Sequence, residues 1–313
     1  MICWAVTDGR AGIETQALGL AEAVARRASL DIVAKAIKVR APQKSLPRAL
    51  WGDPFALLDV GSAPLAPPWP DLWIGCGRLS VPYSIAVKQR APETFVVQIQ
   101  NPRAPLAAFD LVIPPSHDRL TGDNVFPILG SPNRIDAEKL RTPIAPGLAP
   151  VAVLIGGPNK AFAFDAADAA ALAERLTTLA MPLDVTVSRR TPHDAAAILR
   201  AKLGASAARF FDPSQDPAER NPYPAMLGTA RAIIVTEDSV NMAAEAAATG
   251  RPVYVLALRR KPFSSVRKFD AFHAGLKARG AARELHGEIE AFDYAPLDET
   301  GRAADEIIRR WLG

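Results

Sequence analysis

Cysteine and histidine are scarce here: two cysteines, Cys3 and Cys76, and four histidines occur in 313 residues. No pair of them with an acid falls at metal-ligand spacing, so no structural or catalytic metal is expected. Both cysteines sit inside apolar runs, which predicts buried free thiols and a reducing compartment. Long hydrophobic runs are missing as well. None approaches the ~20 residues of a membrane span. The N-terminus enters an apolar run, Ile2-Cys3-Trp4-Ala5-Val6, without a basic start and long apolar core, so no signal peptide is expected and the expected location is cytoplasmic. Neither the dinucleotide-binding glycine spacing nor a Walker A loop occurs, which argues against NAD and ATP. No Gly-x-Ser-x-Gly elbow occurs, which argues against an α/β-hydrolase. No repeat of solenoid period is found.

What is present describes an ordinary globular chain, 49% hydrophobic and 22% charged. The net charge of +4 suits anionic small molecules or weak contact with an acidic lipid surface. It is too diffuse to argue for nucleic acid. The length exceeds the usual limit of a single core, so two domains are expected.

Two series of short apolar strands alternate with helical stretches. The first series reads as strands at Ile2–Thr7, Ile32–Val39, Pro70–Cys76, Phe95–Gln100 and Asp110–Pro114, with helices over 13–27 and 80–90. Residues 40–70 are rich in proline and tryptophan and read as an irregular excursion with one short helix near Leu46–Leu50. Asp136–Leu148 reads as a linker, with the boundary near Ala145–Pro150. The second series has strands at 151–155, 183–187, 209–211, 232–235 and 253–256. Its helices are expected over 166–179, 193–203 and 240–248, and after the last strand over 269–280 and 300–312. Such alternation predicts open parallel sheets, whose ligands gather at the carboxyl ends of the strands. The expected division is 1–147 and 148–313.

The most informative stretch is 230–258. Ala232–Val235 is strand-like, Asp238-Ser239 supplies a helix N-cap signal, and Val240–Ala248 is rich in strong helix formers. Gly250 and Pro252 stop the helix before the next strand. A helix mouth of this kind favours an anion, typically phosphate. Glu245 follows Ser239 by six positions, beside a run of alanines. A buried acid needs a partner, and the two hydroxyls of a ribose would serve. A structural ion pair or a solvated glutamate is the plain alternative.

The run Thr236-Glu237-Asp238-Ser239…Glu245-Ala246…Gly250-Arg251-Pro252-Val253 resembles the nucleotide-sugar signature of GT-B glycosyltransferases and UDP-sugar 2-epimerases. The whole chain more closely resembles the mitochondrial fission ELM family, a GT-B-like group. The matching stretches are Asp8-Gly9-Arg10-Ala11-Gly12, Gln98–Arg103, Ser116-His117-Asp118, Leu154–Gly157, Ser188–Pro192 and Lys268-Phe269-Asp270. The resemblance implies an α/β, GT-B-like fold, two Rossmann-like parallel-sheet domains facing across a cleft. It implies that the second domain binds a nucleotide-diphosphate sugar, the diphosphate at the helix mouth and the ribose on Glu245. It also implies that the last helix crosses back to the first domain.

A diphosphate handled without a metal needs helix termini and fixed cations. The candidates are Gly156, Gly157, Lys160, Arg189, Arg190, Asp238, Ser239 and Glu245. On the first domain Gly9, Gly12, Gly77 and Arg78 would line the acceptor side, with Asp8, His117 and Asp118 as candidate bases. In the peptidoglycan glucosaminyltransferases the first glycine loop is followed by a histidine; here Gly12-Ile13-Glu14 stands instead, so that base is missing.

The leading expectation is therefore a metal-independent glycosyltransferase-type enzyme with a nucleotide-diphosphate sugar as donor and no cofactor. A nucleotide-sugar 2-epimerase is a second reading. A non-catalytic adaptor that recruits a partner or touches a membrane surface is a third, with Arg259-Arg260-Lys261 as its contact.

Overall fold

The computed structural model describes residues 1–41, 46–47, 51–136, 140, 149–204 and 206–313. The chain divides into two units, Met1–Arg134 with Asp298–Gly313, and Ile135–Leu297. The linker and the boundary expected at 147/148 fall largely on residues 141–148, outside the described residues, as do residues 48–50 of the expected short helix.

The first unit is built on β1 (Ile2–Thr7), α1 (Ala11–Ala25), β2 (Asp31–Ala36), β3 (Leu72–Cys76), α2 (Val81–Arg90), β4 (Phe95–Ile99) and β5 (Leu111–Ile113). Its sheet is parallel throughout, in the order β2-β1-β3-β4-β5. Strands buried on both faces read as unbroken apolar runs rather than alternating ones, which is how β3 appears in the sequence. One face packs Cys3, Ile74 and Val97 against Leu20 and Val24 of α1. On the other, Trp4, Trp73 and Tyr83 meet Trp51, Phe55, Leu65 and Trp69. The described part of the proline-rich excursion thus fills a core rather than hanging free.

The second unit runs β6 (Val151–Ile155), β7 (Phe162–Ala163), α3 (Ala166–Thr177), β8 (Leu183–Val187), α4 (His193–Leu203), β9 (Ala207–Phe211), α5 (Tyr223–Thr229), β10 (Ala232–Thr236), α6 (Val240–Ala248), β11 (Val253–Leu256), β12 (Arg259–Arg260), α7 (Arg267–Ala278) and β13 (Ala282–Glu284). Its six-stranded sheet has the order β13-β11-β10-β6-β8-β9 and is again parallel. Asp165 caps α3 through a reciprocal box with Asp168. The sequence reading missed the β7–β12 ribbon, an antiparallel pair of two-residue strands. Strands that short leave no periodic signal.

Helix α8 (Glu299–Trp311) belongs to the first unit. Ala303, Ala304 and Ile307 enter the same core as α1. The buried Glu299 accepts from the Leu129 N–H at 2.9 Å and pairs with Arg302 at 2.7 Å. Thr300 Oγ1 accepts from the Asn133 N–H at 3.0 Å. Next to this seam lies Gly19 of α1, where a Cβ would collide with the Asn133 backbone. Glycine is what lets helix and loop close up there.

Candidate functional site

In the second unit the carboxyl ends of β6, β8 and β10 come together at one knot. Asp238 is its centre, its side chain wholly out of solvent. One oxygen accepts from the Gly157 N–H at 3.0 Å and from the Arg190 guanidinium at 2.6 Å. The other accepts from the Thr236 hydroxyl at 2.6 Å. Arg190 also donates to the Gly157 carbonyl at 2.8 Å, and Thr236 Oγ1 accepts from the Gly156 N–H at 2.8 Å. Three parallel strands are thus tied at their ends by charge-assisted bonds, the stronger kind.

This changes the meaning of the Gly156-Gly157 pair. Both backbone donors, expected to cradle an oxyanion, are engaged by Thr236 and Asp238. A Cβ at Gly156 would collide with the Asp238 carboxylate, and one at Gly157 with the Arg190 backbone. The glycines make room for the knot. Arg190 is likewise part of the knot, whereas Lys160 and Arg189 stand exposed with no carboxylate partner among the described residues.

Ser239 caps α6, its side chain accepting from the Met242 N–H at 3.4 Å. Glu245 lies on the buried face of that helix, among Ala243, Ala244, Ala246 and Ala247. Its carboxylate accepts from the phenolic hydroxyl of Tyr223, at the start of α5. Burial raises the Glu245 pKa to about 7, and the Tyr223 bond pulls it the other way. Burial and the neighbouring carboxylate push the Tyr223 phenol well above its ordinary range. Sequence reading missed Tyr223. Nothing local linked it to a glutamate beyond the next strand.

In the first unit Asp8 closes β1 and is held by Arg10, whose guanidinium lies 2.8 Å away. Gly9 and Gly77 adopt positive φ, 74° and 84°, which suits glycine. Gly12 belongs to the first turn of α1, where its carbonyl accepts from Gln16 Nε2 at 3.0 Å. Gln16 in turn accepts from Gln100 at 3.1 Å, and from the Cys76 thiol at 3.7 Å. The network joins the ends of β3 and β4 to α1. Arg78 is exposed before α2. His117 and Asp118 share the single helical turn Ser116–Asp118 after β5, both half-buried. Both cysteines are free and buried.

The basic triplet is not a free loop. Arg259 pairs with Asp165 and Asp168, Arg260 with Glu237 at 3.2 Å and Asp270 at 2.7 Å. Lys261 Nζ donates to the Asn159 carbonyl at 2.8 Å. Among the described residues no cluster of His, Cys, Asp and Glu could hold a metal ion, and no helix is long and apolar enough to cross a membrane.

Two parallel Rossmann-like sheets in this order define a GT-B-like fold. A Methanocaldococcus jannaschii UDP-GlcNAc 2-epimerase, solved with UDP-GlcNAc and UDP, is similar with a TM-score of 0.53 at 11% identity, over 99% of each chain. Os79 from O. sativa, solved with U2F and a trichothecene, gives 0.52 at 11% identity, over 100% of this chain and 94% of that one. The model of the family Mitochondrial fission ELM1 matches residues 11–311, and the chain belongs to that family. The Mitochondrial fission protein ELM1 of Arabidopsis thaliana is 30% identical, over 77% of this chain but 64% of its own length. An uncharacterized Rickettsia prowazekii protein, RP120, is 30% identical over 77% of this chain and 79% of its own.

Proposed function

We propose that the second unit binds a nucleotide diphosphate or its sugar conjugate at the mouth of α6. The observation that carries this reading is Glu245. Its carboxylate is buried, faces no cation among the contacts described, and rests on a single phenol. Such a group is costly unless more donors arrive. A ribose diol supplies two. The N-terminus of α6, with Lys160 and Arg189 exposed on the same strand-end side of the sheet, suits the diphosphate. The M. jannaschii epimerase, solved with UDP and UDP-GlcNAc, shares the fold and gives UDP as the first nucleotide to try. A metal-independent glycosyl transfer follows as the reaction to assay, with 2-epimerisation second and with Asp8 and His117 as the bases to replace.

Thermal-shift and calorimetric titration with UDP, GDP, CMP and their sugars test the reading. At least one nucleotide binds the wild type, and Glu245→Ala or a 2′-deoxy analogue loses about tenfold or more. Absence of any response in the wild type overturns the proposal.

The adaptor reading has its own support. Two acids at strand ends, Asp8 and Asp238, are already engaged by Arg10 and Arg190. A chain that keeps its fold without turnover needs no more than that. Binding to anionic liposomes that Lys261→Glu abolishes, together with silence toward every nucleotide, would favour it.

A further inference from the structure

Every aromatic side chain among the described residues is buried or half-buried except Phe263, which is wholly exposed. It sits at the tip of the turn Lys261–Ser264, closed by the Ser264 N–H on the Lys261 carbonyl at 3.3 Å. Pro262 precedes it, and its own φ is 57°. A proline followed by a left-handed residue is the pattern of a type II turn, whose second corner ordinarily takes glycine or asparagine. A bulky side chain at that corner strains the backbone. The ring therefore costs twice, in conformation and in uncovered apolar surface, and being wholly exposed it gives nothing to the core.

The tip is held rather than loose. The Lys261 N–H donates to the Ala161 carbonyl at 2.8 Å, and Lys261 Nζ to the Asn159 carbonyl at 2.8 Å. Ser264 Oγ is shared between the Lys261 and Ala161 carbonyls, at 2.7 and 3.1 Å. Behind the turn β12 pairs with β7, where the buried Phe162 meets Phe269 edge-on at 5.0 Å. A tip fixed in advance has little freedom left to lose when something covers it.

Charge narrows what that is. The stretch Arg259–Lys268 carries five cations and no acid. Arg259 and Arg260 are taken up by acids of their own unit. Lys261 meets a neutral carbonyl, and Lys160 and Arg267 are exposed with no carboxylate partner among the described residues. Size narrows it further. Covering a phenylalanine buries about 150–250 Å², far short of the roughly 800 Å² each partner gives to a stable protein interface. A lipid surface asks for less: it takes the ring at its acyl boundary and the cations among its headgroups. We infer that the Lys261–Ser264 turn inserts Phe263 into an anionic phospholipid surface, with Lys160, Lys261 and Arg267 on the headgroup phosphates. This sharpens the membrane contact of the adaptor reading, moving it from the arginine pair to the tip, and it does not need the silence toward nucleotides which that reading demands.

Co-sedimentation of the full chain with vesicles of phosphatidylcholine, alone or mixed with phosphatidylglycerol, tests this. The chain binds the mixed vesicles only, and less at about 1 M salt, where charges are screened within ~3 Å. Phe263→Gly relieves the strained φ and so keeps the fold, yet weakens binding about tenfold or more. Lys160→Gln with Arg267→Gln weakens it too and flattens the salt dependence. In Phe263→Trp, brominated acyl chains quench the fluorescence beyond the wild-type level. Absence of binding to the mixed vesicles, equal binding to neutral ones, unchanged binding by Phe263→Gly, or no added quenching overturns the proposal. UDP titration of the same proteins is read separately: nucleotide binding removes the adaptor reading and leaves this contact standing.

Discussion

The Tyr223 phenol donates to the buried Glu245 carboxylate of α6, 22 positions further along the chain. Among the described residues no arginine or lysine pairs with that carboxylate, and burial raises its pKa to about 7. The pair couples stability to pH. A carboxyl whose folded pKa is raised contributes fully below its unfolded value and loses that contribution as pH rises through the folded one. The window runs from about 4.5 to about 7. Across it the wild type should lose about 3 kcal/mol relative to Glu245→Gln. Urea unfolding of both proteins at steps from pH 5 to 8 checks this, and parallel curves would refute it.

Removing the phenol isolates its share. Tyr223→Phe keeps the ring but takes away the hydrogen bond that lowers the Glu245 pKa. Stability above pH 7 should fall by about 1.5–3 kcal/mol, as for a hydrogen bond to a charged group. Below pH 5 the loss should shrink. Melting curves at both ends of the range decide it.

Asp238 and Arg190 should behave unequally. Asp238→Ala strips the Gly157 N–H, the Thr236 hydroxyl and Arg190 of their shared acceptor. Its cost is expected at about 3–5 kcal/mol, as for a broken buried pair. Arg190 is 41% exposed, so Arg190→Ala should cost nearer 1 kcal/mol. A double-mutant cycle gives the coupling, and additive losses would show the two to be independent.

His273 predicts the opposite pH trend from Glu245. Burial pushes its pKa below the ordinary value of 6.5, while its bond to the Glu237 carbonyl pulls the other way. A base that stays neutral on folding loses stability as pH falls through the unfolded value. Below about pH 6.5, then, the wild type should weaken relative to His273→Gln. Denaturation between pH 5 and 7.5 measures the divergence.

Gly19 tests close approach against helix propensity. Alanine gains about 1 kcal/mol of propensity in a helix. At this position it must also displace the Asn133 backbone, an overpacking cost of up to about 3 kcal/mol. The collision involves main chain rather than a pliant side chain, so Gly19→Ala should destabilise on balance. A raised melting temperature would contradict that.

Local pattern and long-range pairing were not equally legible in the sequence. The apolar run at 232–235, the Ser239 cap and the Gly250-Arg251-Pro252 stop fix a strand, a helix and a strand using neighbours alone, and the structure repeats them. The same holds for β6, whose continuous apolar run signals burial on both faces. What stayed hidden joins residues far apart in the chain: Arg190 with Asp238, Tyr223 with Glu245, Arg260 with Glu237. A glycine pair before a polar loop looks alike whether its N–H groups await a phosphate or hold a carboxylate of their own chain. Gly156-Gly157 turned out to be the latter.

Helix α8 has a consequence for synthesis. The chain leaves the first unit at Arg134 and rejoins it at Asp298. Leu20 and Val24 of α1 therefore reach the ribosome exit long before Ala304 and Ile307, which share their core. The second unit has all its strands in hand first. The amino-terminal unit keeps an uncovered greasy flank until α8 has been made, so its core closes only after the whole of the second unit has been synthesised.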